Sequence, residues 1–228
     1  MNLSEFEKEI GCDFKNQNLI KEALTHRSYL NERPDWGVSN NERLEYLGDA
    51  VLELSVTKYL FDKFPKSPEG ELTVLRAALV NYQMLSRVAE EISLEKFIFL
   101  SRGEAQEGGK AREVILANAM EAVIGAIYLD QGFNKADGFI EKYIIPHLKT
   151  ILKNKSYRDS KSKLQEVVQE KFKVTPNYKV IEESGPAHKK IFKIGVYFNE
   201  NLVASGTGLS KQEAELEAAE KALKEIRD

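Results

Sequence analysis

Apolar residues recur every three or four positions along the first two thirds of the chain, the spacing that gives a helix one buried stripe. The pattern predicts a helix over 4–10, with Ser4 and Glu7 as a capping box and Gly11 as its stop. A second is predicted over 18–30, with Leu19, Ala23, Leu24 and Tyr29 inward. A third opens with Asn40 or Asn41 near the N-cap and runs to Phe64, where Pro65 ends it. Its inward stripe is Leu44, Leu47, Val51 and Leu54. Further helices are predicted over 69–80, 83–92 and 113–131, the last closed by Gly132, and over 134–154 with a bend at Pro146. Between them, 31–40 is a loop, 97–100 is a strand-like segment or packed loop, and 102–112 is a polar, glycine-rich loop.

The pattern then changes. Lys153 to Ser160 is polar and charged, without apolar periodicity, and reads as a linker. Beyond it come a helix over 160–172, with Leu164, Val167 and Val168 inward, and three strands over 178–182, 191–198 and 202–206. A turn at Asn199, Glu200 and Asn201 joins the last two strands. The final helix, 210–226, has Ser210 as N-cap and Glu213 completing a capping box. The chain therefore reads as multidomain: an all-α domain over 1–152, a linker over 153–159, and a small α+β (α-β-β-β-α) domain over 160–228.

Charge sharpens this division. The 228 residues carry a net charge of −3, but 1–150 hold −6 and 151–228 hold +3. An acidic body with a basic tail suits carboxylates that gather metal in one part and cations that hold phosphate in the other. The longest apolar run, Ala122 to Leu129, is too short to span a bilayer, and the acidic start lacks the pattern of a signal peptide. Cys12 is the only cysteine, which rules out an internal disulfide or a cysteine metal cluster. A cytoplasmic protein without membrane contact is the expectation.

Candidate chemistry concentrates in the third helix. Glu42, Glu45 and Asp49 stand at i, i+3 and i+7, within about 60° of one another around the axis. Such a strip is either a solvated acidic face or a site for a hard cation, which takes oxygen ligands. Asn118 and Glu121 lie about one turn apart on a later helix and can face one point. Glu69 sits in the first turn of its own helix, where the dipole favours a carboxylate. His26 reads either as a general base or as a helix-packed histidine bonded to a neighbouring loop; Trp36 reads as a loop anchor.

The stretch from Asn41 to Ala50 closely resembles the signature of the ribonuclease III family, metal-dependent endonucleases that cut double-stranded RNA. The resemblance continues through Ala23 to Tyr29, Glu69 to Leu72, Arg76 to Val80, Gly108 to Lys110 and Ile115 to Ala122. The C-terminal third resembles a double-stranded-RNA-binding domain, so the match covers nearly the whole chain, in the expected order.

The resemblance implies a bacterial-type magnesium-dependent endoribonuclease, with Mn2+ as a substitute ion. It would leave 5′-phosphate and 3′-hydroxyl ends, with short 3′ overhangs, in ribosomal and messenger RNA processing. It places Asn118 and Glu121 opposite Glu45 and Asp49 as the metal-ligand set, with Asp49 and Glu121 as catalytic residues. Glu42 and Glu69 would sit on the cleavage valley. The family works as a homodimer, and Tyr46 replaces the usual Phe that docks into the partner; a core role for Tyr46 is the alternative. In the tail, Ser162, Gln165, Glu166 and Gln169 match the helix face laid across a minor groove. Gly185 to His188 match the loop that probes the next groove, and Lys211 matches a phosphate contact at a helix N-terminus. Lys211 has fewer basic neighbours than usual, with Lys189, Lys190 and Lys193 as compensation. Asn118 departs from the family's Asp, and an amide ligates a hard cation without bringing charge. Two functions follow: a nuclease whose metal site is completed by RNA phosphate, or a double-stranded-RNA-binding protein with weak or no cleavage.

Overall fold

A computed structural model describes residues 3–106, 108–154, 160–184 and 190–226. The chain divides into two compact units, 1–155 and 156–228, each with its own core.

The first unit is built from α1 (Leu3–Ile10), α2 (Gln17–Ala23), α3 (Arg27–Glu32), α4 (Glu42–Lys63), α5 (Glu69–Val80), α6 (Tyr82–Glu91), α7 (Lys110–Gln131), α8 (Phe133–Tyr143) and α9 (Leu148–Asn154). Its centre is the pair α4 and α7, each 22 residues long. Phe6, Ile20, Leu24, Leu52, Leu60, Leu75, Leu79, Leu85, Leu116, Met120 and Ile124 are fully buried around that pair. Each contributes roughly 1.5–3 kcal/mol by leaving water.

Several predicted boundaries shift, each for a local reason. The helix expected over 18–30 is two helices. It breaks at Leu24, Thr25 and His26, where Thr25 forms a parallel bridge with Phe99 and His26 caps α3. The segment 97–100 is thus a packed loop carrying one bridge. Glu7 closes no capping box: it is buried, and its Oε1 accepts from the Phe14 backbone N–H and Gln17 Nε2, both at 2.7 Å. Helix α7 starts at Lys110 rather than at 113, after Gly109 at φ +65°. Pro146 sits in a 3-10 turn, Ile145–His147, that separates α8 from α9.

Leu54, expected in the core stripe of α4, is 58% exposed. The buried stripe follows Leu44, Gly48, Val51, Leu52, Ser55, Val56 and Leu60. That line turns away from Leu54, which joins Tyr46 and Phe61 on an outward flank. Tyr46, 83% exposed, is therefore not a core residue of this chain.

The second unit is α10 (Ser160–Phe172), β1 (Pro176–Ser184), β2 (Ile191–Phe198), β3 (Asn201–Gly208) and α11 (Lys211–Glu225). The strands form an antiparallel sheet in the order β1-β2-β3, with β1 bulged at Val180/Glu182. Leu164 and Val168 of α10, Val196 of β2 and Ala218, Ala219 and Ala222 of α11 make its core. Gly206 lets α11 lie on β3, since a Cβ there would stand 2.3 Å from the Ala214 carbonyl oxygen. Ser210 Oγ caps α11 by accepting from the Glu213 backbone N–H at 3.1 Å. The return bond runs from Leu209 N–H to Glu213 Oε2 at 2.8 Å, one residue before the expected donor.

Candidate active site

The site is made by the crossing of α4 and α7, and two glycines permit that crossing. A Cβ on Gly48 would lie 1.8 Å from the Glu121 carbonyl oxygen, and one on Gly125 would lie 2.3 Å from the Leu44 carbonyl oxygen. Backbone therefore meets backbone, and the side chains one turn away on each helix are forced together. Glu45 and Asp49 come from α4; Asn118 and Glu121 come from α7.

Electrostatics records their proximity. The half-buried Glu121 carboxyl is pushed up to about 8, first by desolvation, then by Asp49 and Glu45. Glu45 is also raised, by burial and then by Glu42, against a hydrogen bond from Asn118 that lowers it; Asp49 raises it further. Like charges crowd around a partly dry point, an arrangement that a hard dication relieves. The donor set, carboxylates plus one amide, fits such an ion. Among the described residues, however, no three His, Cys, Asp or Glu side chains already stand as a ready-made metal cage.

A cleft of about 730 Å3 opens beside this cluster, walled by His26, Arg27, Asn41, Glu42, Glu45, Glu104, Lys110 and Asn118. Several of these were not read as site residues from sequence. Glu104 comes from the glycine-rich stretch before α7 and Lys110 from the first turn of α7, both within the segment that sequence predicts as a polar loop. Arg27 lies 3.7 Å from Glu42, so a cation faces part of the acidic strip. Asn41 is buried, and its N–H donates to the Thr25 carbonyl at 2.9 Å, which pins the start of α4 to the α2–α3 break. His26 follows that break. Its ring is held below its ordinary pKa, chiefly by burial. Trp36 anchors the same place: Nε1 donates to Thr25 Oγ1 at 3.0 Å, and the indole packs on Phe99 and Tyr29 at 4.6 and 4.9 Å.

Glu69 does not line this cleft; at the start of α5 its Oε1 accepts from Thr73 Oγ1 at 2.8 Å. In the second unit, Ser162, Gln165, Glu166 and Gln169 share an exposed face of α10. Lys211 stands at the first position of α11, with its Nζ 3.5 Å from Glu183, which also holds Lys190 at 2.9 Å. His188 and the rest of 185–189 lie outside the described residues.

Residues 16–148 match the family model of ribonuclease-III-like proteins, and 160–226 match that of the double-stranded RNA binding motif. A protein named Ribonuclease 3 from Borreliella burgdorferi is 45% identical over 222 residues, covering 97% of this chain and 90% of its own. Another of that name, from Carboxydothermus hydrogenoformans, is 45% identical over 227 residues, covering 100% and 97%. The nuclease domain of ribonuclease III from Campylobacter jejuni matches with a TM-score of 0.58 at 45% identity. That match covers 63% of this chain and 96% of that one, in a structure noted for flexibility in a region involved in dimer formation.

Proposed function

Because the chain belongs to the ribonuclease III family of double-stranded-RNA endoribonucleases, we propose that it hydrolyses RNA phosphodiester bonds at the α4–α7 crossing with magnesium as its ion. The observation that carries this is the Glu121 carboxyl, crowded by Asp49 and Glu45 at a partly dry point. Glu45, Asp49 and Glu121 would hold the ion by carboxylate oxygens and Asn118 by its amide oxygen; manganese offers a substitute of the same ligand preference. When bound, the ion supplies activation of water and charge stabilisation.

The chain's own groups do the rest. Asp49 and Glu121 act as the catalytic pair. Arg27 and Lys110 on the cleft wall offer cations to the RNA backbone, and Glu42 stays oriented by Arg27. Glu69 reaches the cleavage valley in the bound complex. The products carry 5′-phosphate and 3′-hydroxyl ends, as suits processing of ribosomal and messenger RNA in the cytoplasm. A domain over 1–152 performs this chemistry, and 153–159 links it to a domain over 160–228 that binds double-stranded RNA by shape. There Ser162, Gln165, Glu166 and Gln169 lie across one minor groove, His188 enters the next, and Lys211 meets phosphate.

Two copies act together, one site for each strand, with Tyr46 docking into the partner. The support for this is the outward apolar flank of Tyr46, Leu54 and Phe61 on α4.

The test is cleavage of a long double-stranded RNA with magnesium and with chelator, for the wild type and Glu121→Gln. Magnesium-dependent cutting lost in the variant is expected. Binding without cutting at every magnesium concentration would instead support the second reading, a binding protein whose cleavage Asn118 has weakened.

A further inference from the structure

The imidazole of His26 has one nitrogen fixed by the fold and one left for a ligand. Nδ1 lies 3.3 Å from the Ser28 backbone nitrogen and 2.8 Å from Ser28 Oγ. A backbone N–H only donates, so Nδ1 must accept and carries no proton. The neighbouring bonds agree. Ser28 Oγ accepts from the Ser101 backbone N–H at 3.1 Å and can turn its own proton toward Nδ1. The neutral ring therefore carries its hydrogen on Nε2. That nitrogen has no hydrogen-bond partner among the described residues, although the ring lines the cleft with Glu42, Glu45 and Asn118.

His26 is also held at its backbone. Its backbone N–H donates to the Phe99 carbonyl at 3.1 Å, and the Phe99 N–H donates to the Leu24 carbonyl at 2.8 Å. Backbone bonds thus hold His26 from both sides of the α2–α3 break. A donor fixed on the wall of a cleft otherwise rich in carboxylates has an obvious complement in the oxygens of a nucleic-acid backbone. We infer that His26 is a substrate-positioning residue whose Nε2–H donates to a backbone oxygen of the bound RNA, a ribose 2′-hydroxyl or a phosphate oxygen. The inference rests on the cleft being the cleavage site. It assigns His26 no role as general base, since the ring nitrogen left without a partner carries a hydrogen.

Two substitutions separate capping from binding. Asparagine is a strong N-cap residue, so His26→Asn keeps the acceptor for the Ser28 N–H but falls short of the cleft. In His26→Gln, the longer amide places an N–H near the Nε2 position and forfeits the cap. With magnesium and a long double-stranded RNA, His26→Asn is expected to melt like the wild type, yet to raise KM about five- to tenfold with kcat little changed. His26→Gln is expected to melt lower and still recover part of that KM. If His26→Asn cuts like the wild type while His26→Gln is impaired in step with its melting point, His26 only caps α3 and the inference is overturned. Substrates with 2′-deoxy sugars around the cleaved bond identify the oxygen. Losses from deoxy substitution and His26→Asn that do not add point to the 2′-hydroxyl; additive losses point to phosphate. A wild type that cuts no double-stranded RNA would sink the reading of the cleft itself, whatever His26 does.

Discussion

Gly48 and Gly125 touch backbone to backbone: a Cβ on Gly48 would stand 1.8 Å from the Glu121 carbonyl, and one on Gly125 would stand 3.1 Å from Gly48 N. Helix α4 cannot move aside without carrying Glu45 and Asp49 away from α7. Gly48→Ala should therefore cost about 3 kcal/mol or more, at the upper end of overpacking penalties. Cleavage should fall by more than the loss of folded protein explains. Thermal melting set against magnesium-dependent cutting at a temperature where the variant is folded checks both.

The Glu121 carboxyl makes the metal-free protein sensitive to pH. Its folded value of about 8 lies above the ordinary 4.5, so the folded state holds a proton that the unfolded chain releases. Stability from this group is full below the ordinary value and is lost as pH rises through the folded one. Glu121→Gln removes that loss. In chelator the variant should be more stable than wild type by roughly 1–2 kcal/mol near pH 9, after discounting the ~1.4 kcal/mol per pKa unit for solvent screening of a half-exposed group. The advantage should disappear near pH 4. Melting curves across that range would contradict the account if the two proteins ran parallel.

Asn118 lowers the Glu45 carboxyl against its other neighbours, where a second carboxylate would raise it. Asn118→Asp adds a charge to the ligand set. It should lower the magnesium needed for half-maximal cleavage by roughly fivefold, about 1 kcal/mol of added attraction. The same variant should melt lower than wild type in chelator, because nothing then offsets the added repulsion. A magnesium titration showing an unchanged or higher requirement would remove this explanation.

In the second unit, Glu183 engages both Lys190 and Lys211, and the two lysines hold its carboxyl below its ordinary pKa. If Lys211 meets phosphate as proposed, the RNA has to compete with that carboxylate. Glu183→Gln should tighten binding of double-stranded RNA about threefold at low salt and steepen the salt dependence. Equal affinities at every salt concentration would show that the pairs exert no restraint.

Tyr46 offers a direct check on assembly. Tyr46→Asp puts a charge on the exposed apolar flank that Tyr46 shares with Leu54 and Phe61. Light scattering should show a dimer for the wild type and a monomer for the variant at the same concentration, with melting of the isolated chain little affected. A dimer that survives the change would move the interface elsewhere.

The residues that sequence made legible are those whose structure is set locally. Pro68 fixes the start of α5 at Glu69, and Ser210 with Glu213 fixes the start of α11. Glu45, Asp49, Asn118 and Glu121 could be paired only through the family resemblance, because nothing in either helix alone names its partner. Tertiary choices were not legible. No Gly or Pro marks the break at Thr25; it exists because Phe99, 74 positions on, supplies the bonds. Leu54 reads as core from its spacing and lies outward because the neighbours of α4 cover a different line. Arg27, Glu104 and Lys110 reach the cleft through the packing of segments far apart in sequence, and no periodicity encodes that.

Trp36 is the chain's one tryptophan, and it sits against Phe99 and Thr25, the residues that bridge at the α2–α3 break. Fluorescence excited at the red edge of aromatic absorption therefore comes from a single indole anchored at the break that precedes the cleft-lining His26. The protein carries its own optical gauge there, free of overlapping emitters. Events that disturb the wall and events confined to the RNA-binding tail can be timed apart without attaching a label.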